Sequence, residues 1–204
     1  MSLFRVSALL LVFIFSLEAR SQEAPLAILE RAADEMVQFL DNNKAELKKD
    51  PTIADEIVRQ KLVPLIDIKG LGRRLLKRKV WTKLTASQQR RFVDAFINHL
   101  ITQYAKGLAE YDGHRFIFKD TKLSSRGNTA WIASELIDKD GNIFNIAYTL
   151  KIIKPESQWK VIDVSVEGIK VLQNYREQLK SVDVDQGFDS LLERLESSSA
   201  TKSR

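Results

Sequence analysis

The apolar residues of this 204-residue chain change their spacing between Tyr111 and Arg115, and that change constrains the fold more than any other feature. Upstream, Phe92, Phe96, Leu100, Tyr104, Leu108 and Tyr111 recur by threes and fours, which predicts one face of a helix of roughly six turns. Thr85 followed by Gln88 is a capping-box signature for its start, and Asp112-Gly113 supplies the turn after it. Downstream the period becomes two. Residues 116–119, 129–137, 142–154 and 158–167 each read as a strand. In the third, Phe144, Ile146, Tyr148, Leu150 and Ile152 face one way, and Asn145, Thr149 and Lys151 the other. Asp140-Gly141 predicts a tight hairpin turn. One apolar and one wetter sheet face are therefore expected.

Helical spacing also precedes and follows this block. Leu26, Leu29, Ala33, Met36, Val37 and Leu40 mark a first amphipathic helix. Asp50-Pro51 reads as a second start, with Pro64 ending or kinking that element, and Asp67 as a cap for residues 68–76, weakened by Gly70 and Gly72. After Gly168, Ile169, Leu172, Tyr175 and Leu179 form one helical stripe, and Phe188, Leu191, Leu192 and Leu195 another. The order predicts an α+β domain: a curved antiparallel sheet of about four strands packed against N- and C-terminal helices. Residues 22–196 are expected to form one domain, and the polar stretch 197–204 a disordered tail.

The first residues read as a separate object. Arg5 precedes an apolar run, Val6 to Leu17, and a small-residue exit at Ala19-Arg20-Ser21. That order predicts a signal peptide over 1–21 and export. The run is about a dozen residues, whereas a spanning helix needs roughly 20. With no cysteine, a lipoprotein anchor, disulfides, thiol nucleophiles and thiolate metal sites are excluded.

Little else points to chemistry. The two histidines, His99 and His114, form no zinc motif, and no phosphate-binding glycine loop, dinucleotide fingerprint or nucleophile elbow is present. Asp163 and Glu167 lie four apart on a predicted strand, so they would share a face; a salt link or turn contact accounts for them more simply than acid–base work. Charge is more informative. From Lys69 to Arg91 there are nine cations and no acid, among them Arg73, Arg74, Lys77, Arg78 and Lys79. Such a segment attracts anionic partners. In an exported protein these would be lipid headgroups or an acidic docking protein, not nucleic acid.

Three blocks carry a resemblance. Leu65-Ile66-Asp67-Ile68 through Leu75-Leu76 and on to Trp81-Thr82-Lys83-Leu84-Thr85 and Phe92 is the first. The second is Trp159-Lys160-Val161-Ile162-Asp163-Val164-Ser165-Val166-Glu167-Gly168, with Asn174-Tyr175-Arg176 beyond it, and Gly187-Phe188-Asp189-Ser190-Leu191-Leu192 closes the pattern. Together they resemble the MlaC (toluene-tolerance) family from about Ala24 to Glu196. The chain departs from the family pattern at Lys77, where a glycine is usual, and at Val80 beside Trp81.

The resemblance implies a periplasmic phospholipid carrier and not an enzyme. Its only ligand would be a diacyl phospholipid held as cargo between sheet and helices, with no cofactor and no metal. As a monomer it would pass lipid between an outer-membrane lipoprotein–porin complex and an inner-membrane ABC transporter complex with an MCE-type ring, maintaining outer-membrane asymmetry. The expected pocket residues are Phe96, Leu100, Tyr104 and Leu108 from the long helix, with Ile146, Tyr148, Leu150, Ile162, Val164 and Val166 from the sheet. Arg73, Arg74, Lys77, Arg78 and Lys79 are the expected partner or headgroup docking residues. Two other readings stay open: an isomerase or hydratase on a cone-shaped α+β scaffold with Asp163 as base, and a ligand-free periplasmic adaptor.

Overall fold

The structure, a computed structural model, describes residues 22–109, 111–180 and 184–200. The expected signal peptide and the last four residues of the expected tail lie outside them. Helices α1 (Pro25–Asn42), α2 (Lys44–Lys49), α3 (Ile53–Ile57), α4 (Ile68–Leu75), α5 (Arg78–Trp81) and α6 (Ala86–Ala109) precede the sheet. Strands β1 (Arg115–Phe118), β2 (Lys122–Leu123), β3 (Thr129–Ile137), β4 (Ile143–Ile153), β5 (Gln158–Val166) and β6 (Ile169–Lys170) follow, then α7 (Val171–Gln178) and α8 (Val184–Ala200). The sheet is antiparallel in the order β1-β3-β4-β5-β6, with β2 also paired to β3.

The expected caps form. Gln88 N–H donates to Thr85 Oγ1 at 3.2 Å while Thr85 N–H donates to Gln88 Oε1 at 2.9 Å, both halves of the capping box that starts α6. Asp67 caps α4, its Oδ1 accepting from Gly70 N–H at 3.0 Å. After α3 the chain makes a π-helical turn over Val58–Leu62 and a 3-10 turn over Val63–Leu65, so Pro64 falls where the helix is already giving way.

Four expectations are corrected. The four long strands are accompanied by two-residue strands, β2 and β6, too short to leave a periodic signal. Ile169 belongs to β6, paired with Val166, and the helix begins only at Val171. Its hairpin turns on Glu167 and Gly168, both with positive φ, the geometry a two-residue primed turn demands. Around Asp140-Gly141 the loop is wider: only Gly141 has positive φ, and the Asp138 carboxylate accepts from the N–H groups of Asp140 and Asn142 at 2.9 and 2.8 Å. At the C-terminus α8 runs to Ala200, so 197–200 are helical where composition suggested a tail.

Candidate functional site

The register assigns each strand residue to a face. On the inner face, Ala130, Ile132, Ser134 and Leu136 of β3 oppose Leu150, Tyr148, Ile146 and Phe144 of β4. Continuing across β4, Ile146 opposes Val166, Tyr148 opposes Val164, Leu150 opposes Val161, and Val166 in turn opposes Ile169. On the other side Phe116 and Phe118 of β1 oppose Leu136 and Ser134. A bulge between Thr149 and Leu150 leaves Ile162 without a ladder partner. This is why the expected trio Ile162, Val164 and Val166 breaks up: below the bulge, Val161 and Trp159 take the inner face.

Burial is graded along that face. Ala130, Ile132 and Leu150 are buried under Ile28 and Leu29 of α1, with Trp159 and Val161 beside them. Farther along, Ile146 and Leu136 are half-buried, Phe144 is 40% exposed, Val166 39% and Ile169 64%. Hydrocarbon side chains in two cross-strand rows, Phe116–Leu136–Phe144 and Ile146–Val166–Ile169, thus lack a complete cover. A cleft of ≈ 390 Å³ between α1 and β1 meets this face at Phe116 and Phe118, its other walls being Glu30, Ala33, Asp34, Val37, His114 and Arg115. The Phe116 and Phe118 rings lie 6.0 Å apart, and Phe118 is 6.2 Å from Tyr148.

The buried apolar residues divide accordingly. One cluster joins the sheet to the first half of α1. A second joins α4, α5, α6 and α8, and a third joins the end of α1 to α2 and α3. Val58 touches both helical clusters; among the described residues no hydrophobic side chain is shared between either and the sheet cluster. The main packing partners of α6 are α8, α3, α4 and α2, all helices. A small domain normally has one contiguous core. Here the sheet and the long helix each pack elsewhere.

Of the expected pocket residues, the structure brings Ile146, Tyr148, Leu150, Val164 and Val166 together on the inner face. The four from α6 are dispersed. Phe96 is fully buried in the helical cluster between Phe92 and Tyr175, and Leu100 packs at that cluster's margin. Leu108 packs on the third cluster, and Tyr104 is 55% exposed. Phe116, Phe118, Leu136, Phe144 and Ile169 share the sheet face with the expected set and were missed; extending the β4 alternation through the hairpin pairs would have found the first four.

The remaining candidates have structural partners. Asp163 Oδ1 accepts from Val164 N–H at 2.9 Å and from Leu172 N–H at 3.2 Å, so it caps the first turn of α7. Glu167 sits in the β5–β6 turn, where its carboxylate accepts from Asn145 N–H. His99 Nε2 is 3.1 Å from Tyr175 Oη, and that ring stands edge-on to Phe96 at 5.0 Å. Burial, and more weakly Tyr104, push the Tyr175 phenol up from its ordinary value; burial does the same to Tyr148. In the basic segment Arg74 is committed to Asp67, while Arg73, Arg78 and Lys79 are exposed with no ion pair among the described residues. Lys77 Nζ donates to the Lys180 carbonyl at 3.3 Å. No group of three or more metal-ligating side chains occurs among the described residues.

Fold and site define a small α+β protein whose sheet keeps part of its apolar face uncovered, apart from its helical core. Residues 30–197 match the family model described as MlaC protein, and the chain belongs to that family. It is 27% identical over 177 residues to toluene tolerance protein ttg2D of Pseudomonas putida, covering 87% of this chain and 81% of that protein. It is 23% identical over 193 residues to the intermembrane phospholipid transport system binding protein MlaC of Haemophilus influenzae, covering 94% and 89%. Its fold is that of the phospholipid-binding protein from Ralstonia solanacearum, solved in complex with a phospholipid. The TM-score is 0.77 at 22% identity, over 87% of this chain and 98% of that one.

Proposed function

We propose that the protein is a periplasmic phospholipid carrier that shuttles lipid between outer-membrane and inner-membrane Mla complexes and so maintains outer-membrane asymmetry. The observation that carries the reading is the inner face of the sheet, apolar but for the paired hydroxyls of Ser134 and Tyr148 and covered at only one end. A diacyl lipid has about 30 methylenes, and at ~0.8 kcal/mol each their exposure to water costs on the order of 20 kcal/mol. A carrier must match a bilayer in hiding those tails, and it needs an apolar surface without unpaired polar groups. Ser134, a buried polar residue on this face, donates to Tyr148 Oη at 3.4 Å and so meets that condition.

Tails lie along Phe144, Ile146, Tyr148, Val164 and Val166, and separate the sheet from the helical core; the headgroup stays in water. The relatives named for phospholipid transport and binding support this cargo. Asp163 and Glu167 serve a helix cap and a turn, which leaves the isomerase reading without its base. Arg73, Lys77, Arg78 and Lys79 form the docking surface for an acidic partner or headgroup.

Native mass spectrometry with lipid extraction, on protein purified from a periplasmic fraction, tests the carrier reading. A stoichiometric diacyl phospholipid increment is expected. Protein that arrives lipid-free and takes none from liposomes would overturn it.

A further inference from the structure

The outer face of the same sheet carries a second pattern, which the cargo reading does not use. Register places Trp131, Ala133 and Glu135 of β3 opposite Thr149, Ala147 and Asn145 of β4, with Ile137 opposite Ile143 at the hairpin end. These are central strands, yet Trp131 is 47% exposed and Ile143 54%, and Ala133 and Ala147 are exposed between them. No described element covers the middle of this face.

Its charges are one-sided. Arg115, Lys122, Lys151, Lys160 and Lys170 fall on it by register, and Lys119 joins them through its 3.0 Å ion pair with Glu135. Against these six cations stand three acids: Glu135, held by Lys119; Asp163, which caps α7; and Glu167 in the β5–β6 turn opposite Asn145, whose N–H its carboxylate accepts from. Lys122 and Lys151, which flank Trp131, make no ion pair among the described residues.

We infer that this face docks on an anionic lipid bilayer. Three properties select that occupant. Protein–protein interface cores are depleted in lysine and enriched in arginine, whereas five of these six cations are lysine. Lysines spaced over a sheet face on flexible stems suit a diffuse negative surface, to which each free one contributes attraction within a Debye length; Lys160 is the least free, its Nζ donating to the Pro64 carbonyl at 2.8 Å. Tryptophan is the side chain most at home at headgroup depth, and Trp131 is central to the patch. The apolar area is small, so docking is electrostatic first and shallow, and the protein leaves the surface readily at raised salt. The face is opposite the one assigned to cargo, so docking does not require the cargo reading to hold.

Co-sedimentation with vesicles of phosphatidylglycerol or of phosphatidylcholine tests the inference, with tryptophan emission recorded in parallel. Trp81 and Trp159 are 9% and 8% exposed, so an emission change reports mainly Trp131. Binding to phosphatidylglycerol alone is expected, with a blue shift and loss at high salt. Lys122→Gln with Lys151→Gln should weaken it roughly thirty-fold. Wild type and variant share the same N-terminus, so any contribution of the first 21 residues cancels. Lipid extraction after separation from the vesicles shows cargo uptake independently. Equal binding to both vesicle types, no binding at low salt, or full binding by the double variant would each overturn the inference.

Discussion

Asp67 and Arg74 form an ion pair across two turns of α4: Arg74 Nη2 lies 2.7 Å from Asp67 Oδ2 and 3.0 Å from the Asp67 carbonyl. Asp67 is 6% exposed and also bonds outward, its N–H donating to the Val161 carbonyl at 3.0 Å, so the pair anchors α4 to the edge of β5. Gly70 completes the arrangement; a Cβ there would fall 2.2 Å from Asp67 Oδ2. Removing one partner leaves the other charge poorly solvated. Arg74→Ala is expected to destabilise the protein by about 2–3 kcal/mol, the lower range for a buried pair because Arg74 itself is partly exposed. Arg74→Lys should recover only part of that, since an ammonium cannot reproduce the planar fork. Urea midpoints within error of wild type for Arg74→Ala would refute the anchor.

Gly72 makes a different demand. A Cβ at this position would lie 2.1 Å from the Trp81 ring, which packs on Phe92 at 6.4 Å between centroids. Gly72→Ala therefore pushes the indole off α6, and a loss of about 1–3 kcal/mol is expected despite the higher helix propensity of alanine. A stabilised Gly72→Ala variant would show that α5 yields freely.

These two glycines show where sequence reading works and where it stops. Thr85 and Gln88, Asp67, and the alternation from Phe144 to Ile152 are local signals, and each predicted its element. Gly70 and Gly72 argued against a helix because propensity is local, whereas their use is set by Arg74 and Trp81, contacts invisible to spacing. The site divides the same way. Period two placed Ile146, Tyr148, Leu150, Val164 and Val166 on one face, but it could not foresee the bulge that displaces Ile162. A helical stripe identifies one side of α6; it does not say that Phe96 packs on Tyr175 of α7, that Leu108 packs on the cluster of α1, α2 and α3, or that Tyr104 is left more than half exposed.

The inner face can be tested against the helical core. Phe144→Asp and Val166→Asp alter partly exposed side chains, so both variants should fold, and copurified phospholipid should fall at least about ten-fold as a charge enters the hydrocarbon surface. Tyr104→Asp tests whether α6 supplies the opposite wall. Phe96→Ala, at a fully buried position, should instead cost about 3–5 kcal/mol of stability. Lipid retained at wild-type stoichiometry by both Phe144→Asp and Val166→Asp would place the cargo elsewhere.

Charge reversal separates docking from folding in the basic segment. Arg78 and Lys79 are exposed and make no ion pair among the described residues, so Arg78→Glu with Lys79→Glu should leave the unfolding midpoint within about 0.5 kcal/mol of wild type. Lipid transfer between donor and acceptor membranes bearing their complexes should slow and lose much of its salt dependence. Unchanged transfer rates at low salt would reject the docking role.

Tyr148 gives a pH prediction with a definite sign. Its phenol is buried on the inner face beside Ser134, and burial raises its pKa above the ordinary 10.0. The unfolded chain then loses the proton before the folded one does. The stabilisation is fully present below pH 10.0, and it is lost as pH rises through the higher folded value. Urea midpoints should stay level through pH 9 and fall above about pH 10. Other groups titrate there too, lysines and the similarly raised Tyr175 among them, so the informative quantity is the difference from Tyr148→Phe. At neutral pH that variant should lose about 1 kcal/mol, because its bond with Ser134 is long. Between pH 9 and pH 11 its midpoint should fall less than that of wild type. Parallel curves would mean that the Tyr148 hydroxyl is solvated in the folded protein, and that this stretch of the inner face is wet where hydrocarbon tails are meant to lie.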